Sequence, residues 1–255
     1  MSFRRLRILI LLSVLGTVAA ITYWERWSVA QWHSPLQIVI YPINGDNSEK
    51  VASYIVTLSA AQFEEIPVFI RKQSERYRLQ ALLLPQVTLG KVVDTAPPMP
   101  PTTRRSMLDT LWWSLQLRYY VFHNTPFWQS LGRIKLFVVF HQGQDGIPLE
   151  HSLGLQKGLL GVIHAFARPA QNAQNNVVIT HELLHTLGAT DKYDANLLPI
   201  YPEGFAEADG GEHYPQKLAE IMAGRIAISP EQAVMPTSLA QCVIGAKTAY
   251  EIQWR

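Results

Sequence analysis

The sequence predicts one α/β domain with a mixed sheet, a single helix carrying a histidine pair, and a loop-rich C-terminal part. Three observations lead there. Gln37 to Ile43 (QIVIYPI), Arg133 to His141 (RIKLFVVFH) and Leu159 to Ala167 are β-branched, apolar runs of strand length. Helical stretches separate them, so strands and helices alternate along the chain. Beyond residue 188 the long apolar runs give way to segments rich in Gly, Pro, Asp and Asn.

The 255 residues suffice for one domain with a sizeable core and do not require two. We divide them into residues 1–32, a membrane anchor or signal peptide with a short tether, and a single domain over residues 33–255. Hydrophobic residues make up 48% and charged residues 16%, an apolar balance to which the N-terminal stretch contributes heavily. A net charge of +2 gives no reason to expect a nucleic-acid partner. The one cysteine, Cys242, excludes an intrachain disulfide; lying among Val234, Leu239, Val243 and Ile244, it reads as a buried structural thiol.

Arg4, Arg5 and Arg7 precede an uncharged run from Ile8 to Trp24. At ~1.5 Å per residue this run just crosses a bilayer core of ~30 Å when its ends snorkel. Tyr23, Trp24, Trp27 and Trp32 follow like an aromatic belt at the far interface. The cationic flank belongs in the cytoplasm, which puts the domain outside, facing the periplasm if the membrane is a bacterial inner membrane. The competing reading is a signal peptide cut after Val18-Ala19-Ala20, which would release a secreted domain.

Residues 25–35 read as a tether ending at Pro35. After the first strand, Asn44-Gly45 makes a turn, and Asp46, Asn47 or Ser48 caps a helix expected to run to about Arg76. Val51, Tyr54, Ile55, Leu58, Ala61 and Phe63 lie on or near one face of it, and Pro67 is expected to break or end it. Gln86 to Val93 is a weak strand, and Ala96 to Pro101 (APPMPP) a stiff connector. Thr102 or Thr103 caps a helix to about Phe122 whose Trp112, Trp113, Tyr119 and Tyr120 suit core or membrane-proximal packing. Asn175 or Asn176 caps the helix with the histidine pair.

That helix contains His181-Glu182-Leu183-Leu184-His185. Residues four apart share a helical face, so the two imidazoles aim at one point, as a tetrahedral zinc requires. Glu182 falls beside that point, placed to take a proton from a zinc-bound water. Leu183, Leu184 and Leu187, with Val177 and Val178, give the helix an apolar back. Gly188 suits a left-handed helix end that turns the chain back. Asp191 is the first strong ligand type after that turn and becomes the expected third metal ligand, which leaves a fourth position open, the mark of a catalytic site.

The string HELLHTLGATD resembles the metzincin clan of zinc peptidases, in its snapalysin-like form with aspartate at the third ligand position. The resemblance covers about 45 residues, 180 to 224. It implies an α+β, zincin-like domain with Zn2+ as cofactor and a peptide or protein substrate. His181, His185 and Asp191 would be the metal ligands and Glu182 the general base. Met222, in Ala219-Glu220-Ile221-Met222-Ala223-Gly224, is similar to the methionine of the clan's turn beneath the zinc. Where members of the clan often carry a tyrosine soon after that methionine, this chain has Gly224 and Arg225, so Tyr193, Tyr201 and Tyr214 remain candidates by residue type only.

Other readings stay open from the residues. Asp191 could be a turn aspartate, leaving His213, Glu203, Glu207 or Glu220 as third ligand. His213 otherwise reads as an exposed loop residue. His141, His151 and His164 read as strand-edge or core histidines, and the acidic loop from Asp191 to Glu212 lacks the regular spacing of a calcium site. The expected activity is peptide-bond hydrolysis by a membrane-anchored metallopeptidase, with the strand over Leu159 to Ala167 holding extended substrate. The alternatives are a non-catalytic zinc-stabilised binding domain at the membrane and a zinc hydrolase acting on a non-peptide amide or ester.

Overall fold

The computed structural model describes residues 3–32, 34–79, 85–101, 106–126, 132–143, 152–156, 158–210 and 212–254. The helices are α1 (Phe3–Ala30), α2 (Glu49–Val56), α3 (Glu65–Arg76), α4 (Met107–Asn124), α5 (Asn172–Leu187) and α6 (Ala246–Glu251). The strands are β1 (Gln37–Asn44), β2 (Gln86–Leu89), β3 (Ile134–His141), β4 (Leu153–Leu155), β5 (Leu160–Phe166), β6 (Ala219–Glu220), β7 (Ile226–Ser229), β8 (Gln232–Val234) and β9 (Cys242–Val243).

Five strands form one mixed sheet in the order β2-β1-β3-β5-β4. The pairs β1–β2, β1–β3 and β3–β5 are parallel, and β4 joins the edge antiparallel to β5. The buried strands β1, β3 and β5 read as continuous apolar runs because both their faces are covered. Alternate residues divide between the two sides. Ile38, Ile40, Leu136, Val138, Phe140, Ile163 and Ala165 face a core shared with α2, α3 and α5. Val39, Tyr41, Phe137, Val139, Leu160 and Val162 face Leu117 and Tyr120 of α4. The result is a three-layer α/β domain.

Several local expectations are corrected. The helix expected from residue 48 to 76 is two helices. Ser48 does cap α2, accepting from the Val51 amide at 3.2 Å. The chain then leaves the helix at Thr57 and crosses a 3-10 turn at Ala60–Phe63 before α3 begins. Pro67 sits in the first turn of α3, where its missing N–H costs nothing, so it opens that helix rather than ending it. The weak strand shortens to Gln86–Leu89. Thr102 and Thr103 lie outside the described residues; the cap of α4 is Ser106, which forms a capping box with Asp109. α5 begins at Asn172 behind a 3-10 turn at Pro169–Gln171, before either expected cap.

Asn175 and Asn176 instead dock α5. Asn175 accepts from the Phe166 amide at 3.0 Å and donates to the Phe166 carbonyl at 2.9 Å, as another strand would. Asn176 donates to the Gln62 carbonyl at 2.8 Å. The tether is corrected too. α1 continues to Ala30, burying Glu25 and Val29 against the domain. Trp32 donates its indole N–H to the Ile252 carbonyl at 2.8 Å and meets Trp254 edge-on at 5.3 Å.

Replacing Asn175 by Ala would leave an amide and a carbonyl of β5 without partners. Asn175→Ala is expected to lower unfolding free energy by about 2 kcal/mol, read as a lower denaturant midpoint with an unchanged slope.

Candidate metal centre

α5 presents its apolar residues Val177, Ile179, Leu183, Leu184 and Leu187 to the core, which turns His181 and His185 towards the cleft. Gly188 ends the helix with φ of +109°, in the left-handed region that glycine enters without strain. A Cβ there would also stand 2.6 Å from Gln156 Nε2.

Beyond the turn, Asp191 lies between two clamped residues. The Thr190 amide and hydroxyl donate to Glu251 at 3.0 and 2.9 Å. The buried Lys192 ammonium donates to Glu251 at 2.8 Å and to the Thr190 carbonyl at 2.7 Å. The Lys192 amide donates to the Met222 carbonyl at 3.0 Å. Burial raises the Glu251 pKa, but the donors from Lys192 and Thr190 outweigh it and leave it lowered.

The clamp delivers Asp191 Oδ1 to 3.2 Å from His181 Nε2 and 3.1 Å from His185 Nε2, while the two Nε2 atoms are 3.0 Å apart. The opposite ring nitrogens fix the tautomers. His181 Nδ1 faces the Ile221 carbonyl at 2.9 Å, and His185 Nδ1 faces the Ala189 carbonyl at 2.8 Å. A carbonyl only accepts, so each Nδ1 carries a proton and Nε2 is the ring atom left to bind a metal. Three electron-pair donors thus converge on one point.

Charge shifts follow from that convergence. Burial opposes a charged His181, yet Asp191, Glu182 and the Ile221 carbonyl outweigh it and raise its pKa. Burial likewise opposes ionisation of Asp191, but the two histidines hold its carboxyl well below the usual carboxylate range. The pocket calls for a positive charge. Zinc fits the donor set: three atoms at about 2.1 Å from a tetrahedral ion stand about 3.4 Å from each other, close to the separations here. The carbonyl partners of Nδ1 are the outer support that histidine ligands require.

Glu182 is buried, and its Oε2 has no hydrogen-bond partner among the described residues. Burial raises its pKa; the histidines pull it down and Asp191 pushes it up, leaving it raised. Gly154 of β4 packs so close that a Cβ there would lie 2.5 Å from His185 Cβ and 3.1 Å from Glu182 Oε2. Met222 is fully buried in the turn Ile221–Gly224, whose Ile221 carbonyl supports His181.

The other expected ligands lie elsewhere. Glu220 is turned into the core, where its carboxylate accepts from the amides of Met222, Ala223 and Gly245 at 2.6, 3.1 and 3.0 Å and from the Thr248 hydroxyl at 2.8 Å. It holds the methionine turn together. His213 is exposed and stacks on Tyr201 at 4.2 Å, and Glu203 and Glu207 are exposed. His141 bridges Asp46 at 2.7 Å and His164 at 2.9 Å on the α4 side of the sheet. His151 lies outside the described residues. Cys242 is buried, and burial pushes its thiol up to about 12.

Of the three tyrosines, Tyr193 is the one at the metal centre. Its ring lies parallel to that of His181 at 6.4 Å, and its hydroxyl meets Asp191. Burial, with Asp191 and Glu182 nearby, pushes that hydroxyl up to about 12. Its position two residues after Asp191 was the available signal, but side-chain direction in a loop is not periodic. β5 is not a free edge: β4 pairs with Leu160–Val162, the Ser152 hydroxyl accepts from the His164 amide, and Asn175 covers Phe166. β5 therefore cannot hold an extended chain as expected, and among the described residues the outer strand on that side of the sheet is β4. Comparison with family models and with curated proteins finds no match to this chain.

The lowered Glu251 pKa has a definite sign in stability. The folded carboxyl takes up its proton less readily than the unfolded one, so the contribution of the clamp is fully present above pH about 4.5. It is lost as pH falls through the lowered folded value. Glu251→Gln is expected to unfold at lower temperature than wild type at pH 7, with the gap narrowing in thermal melts taken progressively below pH 4.5.

Proposed function

We propose that this protein is a zinc-dependent peptidase of metzincin type, anchored in a membrane by the apolar run within α1. The observation that carries the reading is the convergence of His181 Nε2, His185 Nε2 and Asp191 Oδ1 beside an unpartnered carboxylate oxygen of Glu182. A structural zinc site has no use for a buried carboxylate oxygen left without a partner, which disfavours the non-catalytic alternative. β4 favours a peptide over a small amide or ester, because an extended chain can add to its outer edge.

A zinc ion held by these three residues would supply a Lewis acid for the scissile carbonyl and for water. Glu182 takes the proton from the attacking water and returns it to the leaving amine. Burial raises its pKa, which makes it a stronger base than an exposed carboxylate for the first transfer. Tyr193, kept protonated by its surroundings, donates a hydrogen bond to the developing oxyanion. Gly154, lacking a side chain, lets β4 pack directly against α5 at Glu182 and His185, which brings the strand's edge close to the site. The anchor reading rests on a helix apolar enough to cross a membrane over Phe3–Val29, whose last turns are packed into the domain. A signal peptide is the competing reading of the same helix, and an intact N-terminus on membrane-bound protein would exclude it.

Zinc content and hydrolysis of an unstructured peptide by the detergent-solubilised chain test the site. Glu182→Gln should keep one zinc per chain and lose activity by at least ~100-fold. Asp191→Ala should lose the zinc; zinc retained at full affinity would place the third ligand elsewhere. Tyr193→Phe should keep the zinc and lower kcat by about 100-fold with little change in KM.

A further inference from the structure

The cavity beside the candidate metal centre measures about 610 Å³ and is walled by several separate parts of the chain. His185 and Thr190 line it together with Leu155 of β4, Leu117 of α4 and Ile21 of α1. Ile21 is inside the uncharged run Ile8 to Trp24, one turn before its end. If that run spans the bilayer, the wall formed by Ile21 lies at the depth of the outer interface. The metal centre then sits against the membrane surface, at a height fixed by the packing of Val29 and Trp32.

α4, another wall, supports the same placement. Its inner residues Leu117 and Tyr120 are buried, yet its outer face is apolar as well. Leu108, Leu111, Trp112, Leu115, Tyr119 and Phe122 recur at helical spacing, each between 55% and 75% exposed. A helix on a water-facing surface carries polar residues there, and an apolar stripe of this length marks a contact with membrane or protein. The stripe borders the same cavity as the membrane-crossing helix, which makes the bilayer its occupant. Arg118, exposed on the cavity rim, can reach headgroup phosphates.

Resting on the peptidase reading above, we propose that the cavity opens to the bilayer between α1 and α4. It receives apolar side chains of a polypeptide anchored in the same membrane, and that polypeptide is cut where it emerges at the surface. The edge of β4 holds the emerging segment in extended form, and Gly154 seats that strand directly against α5 at Glu182 and His185. The buried pair Glu25 and Lys135 stands at the cavity wall, with α1 contributing the acid and β3 the base. The pair ties the membrane helix to the sheet, so the entrance has a fixed frame.

The test uses the full chain in vesicles of phosphatidylethanolamine and phosphatidylglycerol. Environment-sensitive probes go on Leu115→Cys, Tyr119→Cys and, as control, Val56→Cys on the other side of the sheet; the native Cys242 is buried. Quenching by brominated acyl chains at residues 115 and 119 and none at 56 is expected; equal water exposure at all three overturns the proposal. The second arm compares an unstructured peptide, free or fused to a leucine-rich span of about 20 residues in the same vesicles. The anchored form should be cleaved faster. Leu117→Trp, which fills the cavity, should lower the anchored-to-free ratio by about tenfold while zinc remains bound. Equal cleavage of both forms, with a ratio unmoved by Leu117→Trp, overturns this inference alone. No cleavage of either form by zinc-loaded wild type overturns the peptidase reading itself.

Discussion

Two ring nitrogens and a carboxylate oxygen crowd within about 3 Å of each other, a cluster that calls for positive charge at its centre, and the surrounding structure is organised to hold them there. The two Nδ1–H groups are committed to carbonyls of Ile221 and Ala189, so neither ring can flip to relieve the contact. Asp191 cannot withdraw, since Thr190 and Lys192 are fastened to Glu251 on either side of it. Ile221 cannot shift, because Glu220 gathers the amides of the methionine turn around one buried carboxylate. Each support costs stability if left incomplete, so the three side chains are held together by the fold itself.

Much of this was legible in the sequence. Helical spacing alone places His181, Glu182 and His185, and an apolar run of strand length marks β1, β3 and β5 because both faces of each are covered. The third donor, Asp191, followed from the reversal at Gly188. What could not be read was direction in the irregular parts. Glu220 and Asp191 are both acidic residues downstream of the motif, and only the fold shows one facing the core and the other the cleft. β4 is three residues long and has no pattern of its own, so the longer β5 drew the substrate-holding role. The break between α2 and α3 was hidden because apolar residues continue at helical spacing through the 3-10 turn at Phe63.

Two helices decide what the cleft faces. α1 and α4 both line the cavity and share an unusual composition, apolar on surfaces that a water-facing helix would make polar. The opposite side of the sheet, covered by α2 and α3, follows ordinary amphipathic patterning, with Val51, Tyr54 and Ile55 inward and charged residues outward. The outer surface is thus asymmetric in polarity, and its apolar part borders the cavity that His185 lines.

The contact of Trp32 with Ile252 and Trp254 joins positions 220 residues apart. Loop closure over such a distance is slow, and in vectorial synthesis the first partner waits for the second to leave the ribosome. The end of α1 therefore stays undocked until the last residues of the chain arrive. The wall that Ile21 gives the cavity is completed only then. Order of synthesis makes that wall the last part of the cavity to form.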